Sequence, residues 1–187
     1  MDADDYMTYE EFGRKFFEVA VTEDRVGGAI GAIAGDSFEM GPIGQGPGKI
    51  AKVTAKVRIM EPRVTRQVGE MITFAIRIPL EIDMVVDLRI DRPKFMVFGE
   101  IALRATARAA APLLLILDVE KPRSSDISIH VTSKSLRAEV VRVLGGIDAE
   151  IRRFIAAHVS GEIDSPASKT AKIIDVADRL DAAWTGI

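Results

Sequence analysis

The sequence contains no cysteine. Disulfides, thiolate nucleophiles and thiolate metal sites are therefore excluded together, and the composition fits a reducing compartment. Histidine is nearly absent too, with only His130 and His158 available as general base or imidazole ligand. There is no basic excess: 25 Lys and Arg stand against 28 Asp and Glu, for a formal charge of -3. Nucleic acid needs a concentrated basic surface and is not an expected partner. Long hydrophobic runs are missing. The longest, Ala109 to Leu117, is bounded by Arg108 and Asp118, broken by Pro112, and far short of the ~20 residues of a membrane-spanning helix. The opening Met1-Asp2-Ala3-Asp4-Asp5-Tyr6 is acidic, whereas a secretory signal begins basic and continues apolar. The expectation is a soluble, cytoplasmic protein without a transmembrane segment.

Signature loops are absent as well. Gly48-Lys49 ends a Gly- and Pro-rich stretch, but a phosphate-cradling loop would need glycine at Ile43 and Ser or Thr at Ile50. No Gly-x-Gly-x-x-Gly occurs for a dinucleotide, and no Gly-x-Ser-x-Gly elbow for a serine nucleophile. The acidic groups Asp2, Asp4, Asp5 and Glu162, Asp164 lack the glycine and the spacing of a calcium loop. No cofactor, metal or catalytic residue is expected.

What is present is one domain's worth of chain, 187 residues with 48% hydrophobic and 28% charged, in the globular range. Residues 8–35 read as helical. Phe12, Phe16, Val19 and Ala20 recur at helical spacing from Tyr9 to Ala20; Thr22 then caps a second helix with stripe Val26, Ile30, Ile33 and stop Gly35. Its body is rich in glycine and alanine, and each glycine costs roughly 1 kcal/mol of helix propensity. Close approach of another backbone, or room for a ligand, would offset that cost.

Gly41 to Gly48 reads as a loop, and residues 49–133 as strands. Ala51, Val53, Ala55, Val57 and Ile59 alternate with Lys52, Thr54, Lys56 and Arg58. After a turn around Glu61-Pro62-Arg63 and Gly69 comes the longest alternation: Ile72, Phe74, Ile76, Ile78, Leu80, Ile82, Met84, Val86, Leu88 and Ile90 share one face. Straight, this segment would extend roughly 60 Å. It must bend or break, and Pro79 is the place for that. A turn at Asp91-Arg92-Pro93 leads to a third long strand through Ile101 and Leu103, and shorter strands follow at Leu113 to Val119 and at Ile127 to Val131.

Residues 135–185 return to helical period. Leu136, Val140, Val143, Leu144, Ile147, Ile151, Phe154, Ile155, His158 and Val159 form one stripe, interrupted or kinked at Gly145-Gly146. Ser165-Pro166 starts a last helix carrying Ile173, Val176, Leu180 and Trp184. Helices, consecutive strands and helices again predict an α+β fold with a long, strongly curved antiparallel sheet wrapped around one or more long helices. A helix-grip fold is the alternative.

This layout resembles the tubular lipid-binding (TULIP) superfamily, which includes synaptotagmin-like mitochondrial lipid-binding and bactericidal/permeability-increasing protein domains. The likeness rests on the Thr22 to Gly35 helix, the long strands from Ile50 to Ala107, and the ending Ile151-Arg152-Arg153-Phe154-Ile155 through Pro166 to Ile173-Ile174-Asp175-Val176. It implies a curved sheet around a long helix, an apolar channel for lipid, and no catalysis. The exported members are stapled by a disulfide, whereas this chain has no cysteine. From face and alternation, the expected ligand-lining residues are Ile72, Phe74, Ile76, Ile78, Leu80, Ile82, Met84, Val86, Leu88, Ile101, Leu103, Ile147, Ile151, Phe154 and Ile155. A lipid or other apolar small molecule is the expected partner, with transient membrane contact. Two rival uses of the same faces are an oligomerisation module meeting a second copy as a homodimer, and a helix-grip protein acting on a small apolar metabolite.

Overall fold

The computed structural model describes residues 6–35, 37–45, 51–88, 91–131 and 138–184. In chain order these form α1 (Tyr9–Ala20), α2 (Glu23–Ala34), β1 (Ser37–Gln45), β2 (Ala51–Ile59), β3 (Arg63–Val68), β4 (Ile72–Asp87), β5 (Lys94–Ala110), β6 (Leu114–Val119), β7 (Ile127–Val131), α3 (Ala138–Asp164), α4 (Pro166–Ala171), β8 (Ile173–Asp175) and α5 (Val176–Trp184). Expectations for Ile90, Ile50, Ser135 and Leu136, and for the side chains of Val140, Val143 and Leu144, lie outside this description.

The fold is α+β, with eight strands in one antiparallel sheet that curls strongly into a half-barrel. β4 and β5, of 16 and 17 residues, form its spine. β2 and β3 both pair with β4, from Lys52↔Asp87 to Ile59↔Leu80 and then from Arg63↔Arg77 to Val68↔Ile72. They are one long strand interrupted at Met60-Glu61-Pro62. β6 and β7 repeat the device on β5, with Ala105↔Val119 followed by Ile101↔Ile127 and residues 120–126 looped out between them. β1 flanks β2, and β8 flanks β6.

Pro79 explains the first interruption. β4 continues through it, and its carbonyl accepts from the Met60 amide at 2.9 Å. In an antiparallel ladder a residue's N–H and C=O point the same way, so the donor Pro79 lacks would have faced this neighbour. The break expected in β4 occurs in its partner.

β4 alternates without a slip, every second residue from Ile72 to Val86 being buried. Its core face packs with the inward residues of the other strands, with Val26, Ile30 and Ile33 of α2, and with a stripe of α3 spaced by four: Ile147, Ile151, Ile155, Val159, Ile163. The opposite face carries cross-strand ion pairs, Arg58 to Glu81 (2.9 Å) and Asp83 (3.3 Å), Arg77 to Glu100 (2.9 Å) and Arg108 to Asp118 (2.8 Å). Burial gains about 1.5–3 kcal/mol per large apolar side chain, against about 1 kcal/mol or less for an exposed ion pair. The apolar face therefore decides which side turns inward.

Four readings of the sequence are corrected. The Gly- and Pro-rich loop begins as strand β1: Gly41-Pro42 marks a bulge between Met40 and Ile43, where Gly41 has φ +103 and an added Cβ would lie 2.5 Å from the Val53 carbonyl oxygen. The turn before β4 contains β3. The last helix is divided, its apolar Ile173-Ile174 forming β8 instead. Helix α3 also runs through Gly145-Gly146 without interruption. Among the described residues, no helix is long and apolar enough to cross a membrane.

Candidate functional site

The curl of the sheet brings the expected lining residues onto one interior. Ile72, Phe74, Ile76, Ile78, Leu80, Ile82, Met84 and Val86 of β4, Ile101 and Leu103 of β5, and Ile147, Ile151 and Ile155 of α3 are all buried in one cluster. Leu88 is half-buried at its margin. Phe154 is not inside. It is 40% exposed and stacks on Phe38, whose ring lies 3.9 Å from that of His158. Phe154 adjoins Ile155, about 100° around the helix, and so leaves the stripe. His158 is thus occupied in ring packing, and His130 stands exposed on β7 opposite Phe98.

The interior has an identifiable end. Val68 pairs with Ile72, the β4–β5 register carries this row to Ala107, and Ala107 pairs with Leu117. Over this row lies α1. A cleft of about 440 Å³ separates them, lined on one side by Glu10, Gly13, Arg14, Phe17 and Glu18 and on the other by Val68 to Ile72 and Ala107 to Ala109. More of its lining is apolar than polar, and Glu10, Arg14, Glu18, Glu70 and Arg108 bring charge to it.

Arg66 ties the end of α1 beside this cleft to the sheet. It lies on the inward face of β3 opposite Phe74. Its Nη1 donates to the carbonyls of Glu18 (2.7 Å) and Val21 (3.0 Å), and its amide donates to Glu23 Oε1 at 2.7 Å. Arg25 adds donations to Val19 (3.2 Å) and Ala20 (2.9 Å). The end of α1 has no basic residue of its own, so two arginines from outside the helix satisfy its terminal carbonyls. The other end is closed by a Thr8–Glu11 capping box. There the Thr8 amide and hydroxyl hold the Glu11 carboxyl below the usual carboxylate range.

A second cleft, of about 700 Å³, lies between α2 and the break in the β2–β3 strand. Gly27 and Gly31 of α2 face the side chains of Val64 and Pro62, which an added Cβ would meet at 3.6 and 4.0 Å. Both neighbours are side-chain atoms at ordinary contact distance, so the close backbone approach expected of the glycine-rich helix is not found at these two positions. At Gly28 an added Cβ would meet nothing within 4 Å, and Glu23, Asp24 and Glu61 make the rim acidic.

Among the described residues, no group of three or more His, Asp or Glu is placed to hold a metal ion. The buried polar residue Ser168 is accounted for by Ser165, whose hydroxyl donates to it at 2.9 Å in the cap of α4. Reading by alternation found the inner face; it missed Arg66 and the cleft. The signal available was Val64-x-Arg66-x-Val68, too short to stand out from the turn residues around it.

Fold and site together define an α+β protein whose curled antiparallel sheet holds an apolar concave face beneath its helices. The sequence matches no family model, and a search of curated proteins finds no match.

Proposed function

We propose that the protein binds a lipid or similar apolar molecule between the curled sheet and its helices, without catalysis, as a cytoplasmic carrier or sensor. The observation that carries this reading is the continuity of the apolar face, from Val86 to the row Val68–Ile72–Ala107, with a cleft more apolar than polar opening on that last row. A volume of about 440 Å³ falls within the range of small-molecule sites, and Arg14 and Arg108 in its lining suit the polar head of an otherwise apolar ligand. A strongly curled sheet of long strands whose apolar face packs on a 27-residue helix is in keeping with the tubular lipid-binding resemblance. A helix-grip enzyme would instead need a polar cluster inside, and the inward arginine, Arg66, is engaged by the end of α1.

Native mass spectrometry of protein purified without detergent, followed by solvent extraction, tests this reading. A stoichiometric lipid-sized mass is expected. Protein that is empty and takes nothing from mixed phospholipid vesicles overturns the proposal.

One observation favours a second reading, an oligomerisation module with a filled core. The inward side chains already pack on α2 and α3, while β8 and α5 leave Ile173, Ile174, Leu180 and Trp184 exposed. A stable, ligand-free dimer in light scattering would place this reading first.

A further inference from the structure

We infer that α1 is a hinged cover over the entrance to the apolar interior, its hinge end held by Arg66; the inference rests on the ligand-binding reading above. Helices α2 and α3 are rooted in the core, whereas α1 has no buried residue. It touches the core through the partly buried Phe16, Phe17 and Ala20, and leaves Tyr9 and Phe12 largely exposed. Such an element sits at the low end of local stability.

The tethers of α1 are distributed unevenly. In its first three turns the polar contacts are internal: Thr8 with Glu11, Glu10 with Arg14, and Lys15 with Glu18. The contacts to other elements gather at its C-terminal end, where Arg66 and Arg25 hold the last carbonyls. Just beyond, Val21 is buried, with non-helical φ -112 and ψ 88. Among the described residues, α1 is hydrogen-bonded to other elements only at this end and is held elsewhere by Phe16 and Phe17 against the core, so a swing about that end has to lift those two rings. The pivot is Val21-Thr22, and the swing carries Gly13, Arg14 and Phe17 away from Val68, Met71 and Ile72, opening the cleft onto the row that ends the inner face.

Arg66 couples the hinge end to the sheet. Its backbone belongs to β3, and its guanidinium gives two hydrogen bonds from a charged donor to the helix end, which are stronger than neutral ones. Replacing it by alanine removes both while leaving the β3–β4 ladder intact.

Hydrogen exchange read by mass spectrometry, together with uptake of 1-anilinonaphthalene-8-sulfonate in stopped flow, tests the cover. Amides of residues 10–18 are expected to exchange faster than those of α2 in the native protein. Arg66→Ala is expected to speed both that exchange and probe uptake by at least about tenfold. A Gly13→Cys/Met71→Cys pair, bridged by a bis-maleimide in this otherwise cysteine-free chain, is expected to slow uptake, and it tests the cover even if Arg66→Ala folds poorly. Uptake at one rate in native, Arg66→Ala and bridged protein overturns the cover and leaves the binding reading standing. No uptake in any of them overturns both. Protection of α1 equal to that of α2, unchanged by Arg66→Ala, overturns the hinge whatever the probe does.

Discussion

Gly99 and Gly28 are the same residue under opposite constraints. Gly99 lies on the inward face of β5 opposite Leu80, and an added Cβ would stand 2.8 Å from the carbonyl oxygen of Ser128. A backbone atom of a paired strand cannot step aside, so Gly99→Ala is expected to cost about 1–3 kcal/mol through overpacking. Gly28 is exposed within α2, and an added Cβ would meet nothing within 4 Å. Gly28→Ala removes only the entropic cost of glycine in a helix and is expected to stabilise by up to about 1 kcal/mol. Urea midpoints at constant slope measure both. Shifts of the same sign would mean that the clash at Gly99 is relieved by movement of the strands.

Among the elements, α1 depends most on its ends, and one end titrates. The Thr8 amide and hydroxyl donate to the Glu11 carboxylate at 2.8 and 2.9 Å, which lowers its pKa from the ordinary 4.5. A carboxylate with a depressed folded-state pKa stabilises fully above its unfolded value and loses that contribution as pH falls through the folded one. Acidification from neutrality to below 4.5 is therefore expected to loosen the first turn of α1. Cα chemical shifts of Tyr9 to Phe12 should move toward coil before those of α2, and Thr8→Ala should abolish the difference; α3 is no control, because the Lys121 ammonium likewise lowers the pKa of Asp164 at its end. Equal responses in α1 and α2 would assign the effect to the general charge of the molecule.

The elements also differ in how much of them could be read in advance. α2, β2, β4, β5 and the stripe of α3 carry strong periods and lie where those periods put them. β1 was hidden because Gly41-Pro42, a turn signal, marks a bulge rather than an end. β3 was hidden because its inward row contains Arg66. β8 was hidden because Ile173-Ile174-Asp175 is too short to show alternation and is held as a strand only by pairing with Leu114 to Ile116. The inner face was legible in the same way, residue by residue, except for Phe154. The cleft beneath α1 was not, since it depends on Arg66 reaching carbonyls 45 and 48 positions away in the chain.

For the molecule as a whole, the tension is between a packed core and a bound ligand. Ile155 of α3 is fully enclosed in the cluster that joins β4, β5 and both long helices. Ile155→Ala is expected to cost about 2–5 kcal/mol, lowering Tm by roughly 5–20 °C for a chain of this size. Phe154→Ala, next to it but outside, should cost far less. An apolar ligand that enters between sheet and helices must push α2 and α3 outward or fill space that side chains leave. Truncating Ile155 supplies such space, so the variant loses stability when empty and regains more of it than the native protein does when a saturating fatty acid is added, because a ligand bound only by the folded state stabilises in proportion to its affinity. Differential scanning calorimetry with and without ligand reads both effects. A melting temperature that falls in the variant and is not raised by ligand in either protein would leave the interior as packing alone, and would turn attention to the exposed apolar residues of β8 and α5 as the face that meets a second copy.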